Sequence, residues 1–79
     1  MNLYEIYEGA LENAISNDIV FDAAYIIEYV DGALNAYIPK EMAQKIVDTH
    51  NEWLESERGS HNRWLLVESV LEQYEVITD

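Results

Sequence analysis

The chain has 79 residues, and its composition limits both its size class and its partners. Sixteen acidic residues against four basic ones give a formal net charge of -12. This charge disfavours direct binding of nucleic acid or an anionic membrane, because both need Lys and Arg to neutralise phosphate. A hydrophobic fraction of 49% still allows a core, so we expect one folded domain over residues 1–79. The absence of cysteine excludes disulfides and cysteine-based zinc sites.

The N-terminal residues and the longest apolar stretch bear on the location of the protein. Residues 1–5 lack the basic and apolar regions of a secretion signal, and the apolar stretch over residues 19–30 is interrupted by Asp22 and Glu28. We therefore expect neither a secretion signal nor a membrane span, and we expect a cytoplasmic protein.

Residues 2–16 have the periodicity of an amphipathic helix. The predicted apolar face consists of Leu3, Tyr4, Tyr7, Ala10, Leu11, Ala14 and Ile15. Three glutamates form another face: Glu5, Glu8 and Glu12. The polar cluster Ser16-Asn17-Asp18 then offers side-chain oxygens that can cap the start of a second element.

The second element, residues 19–38, permits two interpretations. Asp31-Gly32 lies between two apolar runs and could form the type I′ turn of a β-hairpin, which would make the fold α+β. Four alanines and polar positions at i, i+3, i+4 and i+7 favour a helix instead. Those polar positions are Glu28, Asp31, Gly32 and Asn35. We predict a helix and keep the hairpin as the alternative.

Two further helices are predicted after Pro39, which suits a first helical position because it has no N–H to leave unpaired. The residues that recur with helical periodicity in the third helix are Met42, Ile46, Val47, His50, Trp53 and Leu54. Arg58-Gly59 has the chemistry of a helix end, and Ser60 can cap a fourth helix. The apolar residues of that helix are Trp64, Val67, Val70, Leu71 and Tyr74. The predicted fold is all-α, a compact bundle of about four short helices.

Signatures of catalysis are missing from the sequence. It contains no phosphate-binding glycine loop, no nucleophile elbow and no HExxH pattern. We interpret His50 and His61 as structural histidines rather than metal ligands, and the pair Glu68 and Glu72 as surface charge rather than an acid/base couple. We therefore expect no enzymatic activity, no cofactor and no metal.

The acidic residues recur at spacings that make them neighbours on helices. The runs are Glu5/Glu8/Glu12, Glu28/Asp31, Asp48/Glu52/Glu55 and Glu68/Glu72/Glu75. With Asp18/Asp22 they make eight like-charge pairs, and these would cost about 2 to 4 kcal/mol if all were helical. The opposite-charge pairs are Glu41/Lys45, Lys45/Asp48 and Glu55/Arg58. The sequence retains the repulsion, which indicates selection for something other than stability.

The spacing of these charges approaches that of a nucleic-acid backbone. Consecutive carboxylates on a helix lie about 5 Å apart along its axis, and phosphates of one DNA strand lie about 3.4 Å apart. We therefore expect an inhibitor that presents carboxylates to the nucleic-acid site of a basic protein. The candidate binding residues are Glu5, Glu8, Glu12, Glu28, Asp31, Asp48, Glu52, Glu55, Glu68, Glu72 and Glu75. The last six form the most regular runs, on helices expected to be antiparallel neighbours.

Two other expectations concern partners. The alternative function is a helical adaptor that docks through an apolar surface, with acidity serving only solubility. A homodimer through apolar and aromatic side chains is also expected, because short helices with this hydrophobic fraction can leave one face uncovered.

Residues 28–39, EYVDGALNAYIP, carry a resemblance to a known class of proteins. The stretch resembles the part of small acidic bacteriophage antirestriction proteins, of the Ocr and ArdA type, in which an acidic helix with Asp-Gly-Ala or Asp-Asn-Ala leads into a Val-Pro. The resemblance implies a helical, often dimeric DNA mimic. Its target would be a restriction enzyme or a CRISPR effector in the host-cell cytoplasm.

Overall fold

The computed structural model describes residues 1–56 and 60–76, and the side chains of residues 1–55 and 65–76. Four helices follow one another: α1 (Leu3–Asn17), α2 (Ala23–Leu34), α3 (Lys40–Ser56) and α4 (Ser60–Leu71). No strand forms within the described ranges, although a single bridge pairs Asn2 with Glu75. The predicted all-α bundle is therefore confirmed.

Helix α1 has a defined cap at each end. The side chain of Asn2 accepts a hydrogen bond from the Glu5 N–H at 2.9 Å, which satisfies one free amide of the first turn. At the other end Asp18 adopts the left-handed conformation with φ 54°, and Ile19 donates to the Ala14 carbonyl at 2.9 Å. The cluster Ser16-Asn17-Asp18 was predicted to start the second element, and this is wrong. Short polar residues also tolerate the left-handed geometry that ends a helix.

Helix α2 is shorter than the predicted element at both ends. Asp22 caps its start, accepting from the Tyr25 N–H at 2.8 Å, and Asn35 ends it in the left-handed conformation with φ 49°. Asp31 and Gly32 lie inside the helix, and Gly32 does not have a positive φ. A type I′ turn requires positive φ at both central residues, so the hairpin alternative is wrong.

Helix α3 begins one residue after Pro39. The Pro39 carbonyl accepts hydrogen bonds from Met42 at 3.0 Å and Ala43 at 3.1 Å, which places the proline at the cap rather than at the predicted first helical position. The predicted helix end at Arg58-Gly59 lies outside the described residues. Ser60 was predicted to cap α4 and is instead its first residue.

Helix α4 ends at Leu71, earlier than the acidic run that was predicted to lie on it. Glu72 still donates from its backbone to the Glu68 carbonyl at 3.0 Å, but the chain then leaves the helix. The segment that follows runs beside the N-terminus: Leu3 donates to the Tyr74 carbonyl at 3.3 Å, and Val76 donates to the Met1 carbonyl at 3.1 Å. Glu72 and Glu75 therefore do not continue a helical stripe, because the N-terminal residues pair with the chain just beyond the helix.

One hydrophobic core joins the four helices. Helix α3 packs against both α2 and α4, and α1 contacts all three. The radius of gyration of 11.7 Å is the value expected for a compact domain of this length, about 12 Å. The largest fully buried side chains are Leu3, Ile6, Tyr7, Ile26, Ile38, Ile46 and Leu71. Most predicted aromatic residues with described side chains pack in or against this core, whereas Tyr37 is exposed.

His50 has the structural position that the sequence predicted. Its Nδ1 lies 3.0 Å from the Tyr7 hydroxyl. Its ring centroid lies 5.0 Å from that of Phe21 and 5.6 Å from that of Trp53. The imidazole thus joins α1, the α1–α2 connection and α3. The side chain of His61 is outside the described part of the chain.

Candidate binding surface

The acidic side chains lie on the outside of the bundle. Every acidic residue whose side chain is described is exposed, that is, all except Glu57 and Asp79, which lie outside the described residues. All of the predicted binding residues are therefore on the surface. The helical period explains this, because the acidic residues of each helix lie on the face opposite its core positions.

The charge is distributed unevenly between the two halves of the chain. Residues 1–39 contain seven acidic residues and no Lys, Arg or His. The second half contains nine acidic residues together with all four basic ones. The helices α1 and α2 thus belong to a stretch of sequence with no basic side chain. A count of charge along the sequence would have found this asymmetry, which the search for regular runs missed.

Helix α1 carries one acidic stripe, and surface depressions lie beside it. Glu5, Glu8 and Glu12 are all exposed and span about 10 Å of helix axis. One depression of about 200 Å³ is lined by Glu8, Leu11, Glu12 and Ile15. A second of about 340 Å³ is lined by Gly9, Glu12, Asn13, Ser16 and Tyr29. Glu12 borders both, so each depression has at least one carboxylate in its lining.

Contacts between α1 and α2 lie at the second depression. A Cβ atom added to Gly9 would lie 3.3 Å from Cζ of Tyr29, so the glycine allows the tyrosine ring to approach the helix closely. The Tyr25 hydroxyl accepts from Asn13 Nδ2 at 2.7 Å and donates to the Ala10 carbonyl at 2.9 Å. These contacts hold the acidic stripe of α1 in a fixed relation to α2.

The α3 run has a different electrostatic setting. Asp48, Glu52 and Glu55 are exposed on the helix, as predicted, and Gln44 donates from Nε2 to Asp48 Oδ1 at 3.0 Å. The basic residues Lys40 and Lys45 lie in the first part of the same helix. The α3 run therefore begins beside positive charge.

The remaining predicted residues are separated from one another. Glu28 and Asp31 are exposed on α2. Glu68 is on α4, whereas Glu72 follows its last residue and Glu75 lies in the terminal bridge to Asn2. The predicted regular pair of stripes on α3 and α4 is thus only half formed. Helices α3 and α4 do pack against each other, so Glu68 belongs to a helix that neighbours the α3 run.

Three exposed aliphatic side chains lie within six residues of sequence at the end of α1. Ile15 is 73% exposed, Ile19 41% and Val20 75%. Ile15 was predicted on the apolar face of α1, and this is wrong because buried positions of that helix end at Ala14. Ile19 and Val20 follow the left-handed Asp18 and precede the cap of α2. We call Ile15, Ile19 and Val20, with Glu8 and Glu12 beside them, the α1–α2 corner.

Two further observations apply to the described residues only. None of the helices found there combines the length and apolar character needed to cross a bilayer. No three His, Asp or Glu side chains described in the structure are grouped so that they could share a metal ion. Comparisons with protein-family models, with curated proteins and with solved structures find no match.

Proposed function

We propose that this protein is a non-enzymatic inhibitor that occupies the nucleic-acid site of a basic protein by presenting carboxylates in place of phosphates. The observation that carries the proposal is that every acidic residue with a described side chain is exposed, on a chain with a net charge of -12. A host defence nuclease, such as a restriction enzyme or a CRISPR effector, is the proposed target class. Such proteins have sites whose Lys and Arg side chains hold phosphates.

The energetics of the free protein support this proposal. Five like-charge neighbours remain within helices: Glu5/Glu8, Glu8/Glu12, Glu28/Asp31, Asp48/Glu52 and Glu52/Glu55. Together they cost about 1 to 2.5 kcal/mol. This is a substantial part of the roughly 4 to 12 kcal/mol of stability that a chain of this length has. A cationic partner would relieve this repulsion. The same carboxylates would therefore lower the stability of the free protein and strengthen binding to that partner.

The α1 stripe is the part of the surface that fits the proposal best. It belongs to the half of the sequence that has no basic residue, and it borders two depressions. The α3 run has equal length but begins beside Lys40 and Lys45. We therefore assign the principal contact to Glu5, Glu8 and Glu12, and a secondary one to the α3 run.

Two variants with the same charge change test this assignment. One carries Glu5→Gln, Glu8→Gln and Glu12→Gln. The matched variant carries amides at the three acidic residues of the α3 run: Asp48→Asn, Glu52→Gln and Glu55→Gln. Each is immobilised and used to capture DNA-binding proteins from a bacterial lysate at low and high salt, and a DNA duplex is then added as competitor.

We expect the unmodified protein to release its partner as salt rises and as duplex DNA is added, because the carboxylates and phosphates share one site. The α1 variant loses the partner, and the α3 variant weakens binding less. Equal loss in both variants would attribute binding to net charge alone. Unchanged, salt-insensitive binding in both variants would contradict the proposal.

A second function, an adaptor that docks through an apolar surface, is favoured by one observation. Ile15, Val20 and Leu65 are mostly exposed aliphatic side chains. An adaptor of this kind keeps its partner at high salt and in the presence of DNA. It loses the partner when these aliphatic side chains are replaced by serine, so the same capture experiment separates the two functions.

A further inference from the structure

The α1–α2 corner presents apolar side chains on an ordered backbone. Asp18 ends α1 in the left-handed conformation, and the Ile19 N–H is held by the Ala14 carbonyl at 2.9 Å. Asp22 starts α2 by capping Tyr25 at 2.8 Å. The connection is thus fixed on both sides, and yet Val20 between them is 75% exposed. Three exposed aliphatic side chains within six residues, on a backbone fixed at both ends, are a candidate contact surface.

The surroundings of the corner determine which kind of partner fits. The depression beside it is lined by two apolar residues, Leu11 and Ile15, and by two carboxylates, Glu8 and Glu12. A Lys or Arg side chain has this same division, because its methylene stem packs on apolar surface and its cationic end seeks carboxylates. Ile19 and Val20 do not line the depression. Their exposed side chains would pack against an apolar side chain of the same partner.

The corners of two copies of this chain do not fit each other. Residues 1–39 contain no Lys, Arg or His, and Asp18 and Asp22 are exposed next to the aliphatic residues in the sequence. Two copies that met corner to corner would bring carboxylates together without compensation, and at close range like charges disfavour the contact.

We propose that the α1–α2 corner binds a basic segment of the partner in which an apolar side chain lies among Arg or Lys residues, with Ile15 and Val20 contacting the apolar side chain and Glu8 and Glu12 the cations. The inference rests on the proposed function and adds to it the part of the partner that is recognised. Carboxylates alone would match any cationic groove, whereas the aliphatic contact selects among basic partners.

The test uses two synthetic peptides with the same number of arginines, one with leucine and one with serine at the intervening positions. Their affinities for the intact protein are measured by fluorescence anisotropy. We expect the leucine peptide to bind about tenfold tighter, because burial of even part of two aliphatic side chains contributes that much. In amide NMR spectra the leucine peptide should shift the signals of Ile15, Ile19 and Val20.

Three variants identify the origin of this preference. Ile15→Ser with Val20→Ser should abolish the preference for leucine and leave the affinity for the serine peptide unchanged. Leu65→Ser removes a side chain that is 60% exposed on α4 and should keep the preference. Glu8→Gln with Glu12→Gln should weaken both peptides by a similar factor. Circular dichroism establishes that each variant is folded.

The contrary outcomes are distinct. A protein that binds both peptides equally, or keeps its preference after the Ile15 and Val20 exchange, overturns the inference while the charge-based function stands. Failure to bind either peptide at low salt overturns both. A dimer in light scattering that dissociates on the Ile15 and Val20 exchange would assign the corner to a second copy, and it would overturn the inference as well.

Discussion

The Tyr7 hydroxyl and Nδ1 of His50 lie 3.0 Å apart and share a hydrogen bond that joins α1 to α3. Tyr7 is fully buried, so its hydroxyl has no access to bulk water and depends on partners inside the protein. The two residues are 43 positions apart in the sequence. Their contact holds α1 against α3, and each of these two helices carries one of the acidic runs.

We expect Tyr7→Phe to lower the free energy of unfolding by about 1 kcal/mol, because the substitution removes this bond and leaves Nδ1 of the half-buried His50 with one partner fewer. Urea denaturation measures the change. Tyr37→Phe is the matched control, since Tyr37 is 69% exposed, and it should leave the midpoint where it is. Equal midpoints for Tyr7→Phe and the unmodified protein would show that the bond contributes nothing to stability.

The two helical glycines should respond in opposite directions to alanine. Gly32→Ala on α2 has open space around the added methyl group, so the higher helix propensity of alanine should stabilise the protein by about 0.5 to 1 kcal/mol. Gly9→Ala on α1 would press its methyl group against the Tyr29 ring, and we expect a net loss of about 1 kcal/mol.

Tyr29→Phe combined with Gly9→Ala identifies the cause of that loss. The hydroxyl of Tyr29 is the atom closest to the added methyl group, so its removal should recover part of the stability. The four proteins form a double-mutant cycle, measured by thermal unfolding. Additive effects of the two substitutions would rule out the close contact as the reason.

The sequence predicted the elements well and their ends less well. The alanine content and the polar face around Asp31 correctly predicted a helix over this segment, because local helix propensity determines its structure. Asp18 was assigned to the wrong element, since one short polar side chain suits a helix start and a left-handed helix end equally. Glu75 leaves the helical pattern because its segment pairs with Asn2, a partner 73 positions earlier that no local pattern indicates.

Part of the surface was predictable from helical periodicity. Helical periodicity alone places Glu5, Glu8 and Glu12 outward, as observed. The exposure of Ile15 could not be read from the same periodicity, because it depends on how far the neighbouring helices extend beside the last turn of α1. The depression lined by Gly9 and Tyr29 depends on the packing of these two residues, which is a contact between helices.

The cap of α2 should contribute stability through its geometry rather than its charge. Asp22→Ala removes the acceptor for the Tyr25 N–H and should destabilise the protein by about 1 kcal/mol. Asp22→Asn keeps an oxygen in the same position, and its stability should remain within about 0.5 kcal/mol of the original. Thermal unfolding measures both. If the two variants lose the same amount, charge and not capping is responsible.

A homodimer through uncovered apolar surface remains a prediction. Among the described residues, the exposed side chains of Tyr37 and Leu65, which lie outside the α1–α2 corner, are available for it. Light scattering across micromolar concentrations should give twice the mass of 9.2 kDa if it forms. A constant monomer mass would contradict it.

The last prediction is that salt has opposite effects on the stability of the free protein and on its binding. Glu8 lies between Glu5 and Glu12 on α1, so Glu8→Gln removes two repulsive neighbours and should stabilise the fold by about 0.4 to 1 kcal/mol. Glu5→Gln removes only one and gives up a favourable carboxylate in the first turn of the helix, so it should be close to neutral. Raising salt from about 0.05 M to about 0.5 M screens the same repulsion, and should raise the unfolding midpoint of the unmodified protein more than that of Glu8→Gln. Over the same range the affinity for a basic partner should fall, because screening weakens the attraction as well. The unfolding midpoint and the affinity for the partner are measured in one salt series. If both rise with salt, the mimicry is contradicted, because the carboxylates would then destabilise the fold without attracting the partner.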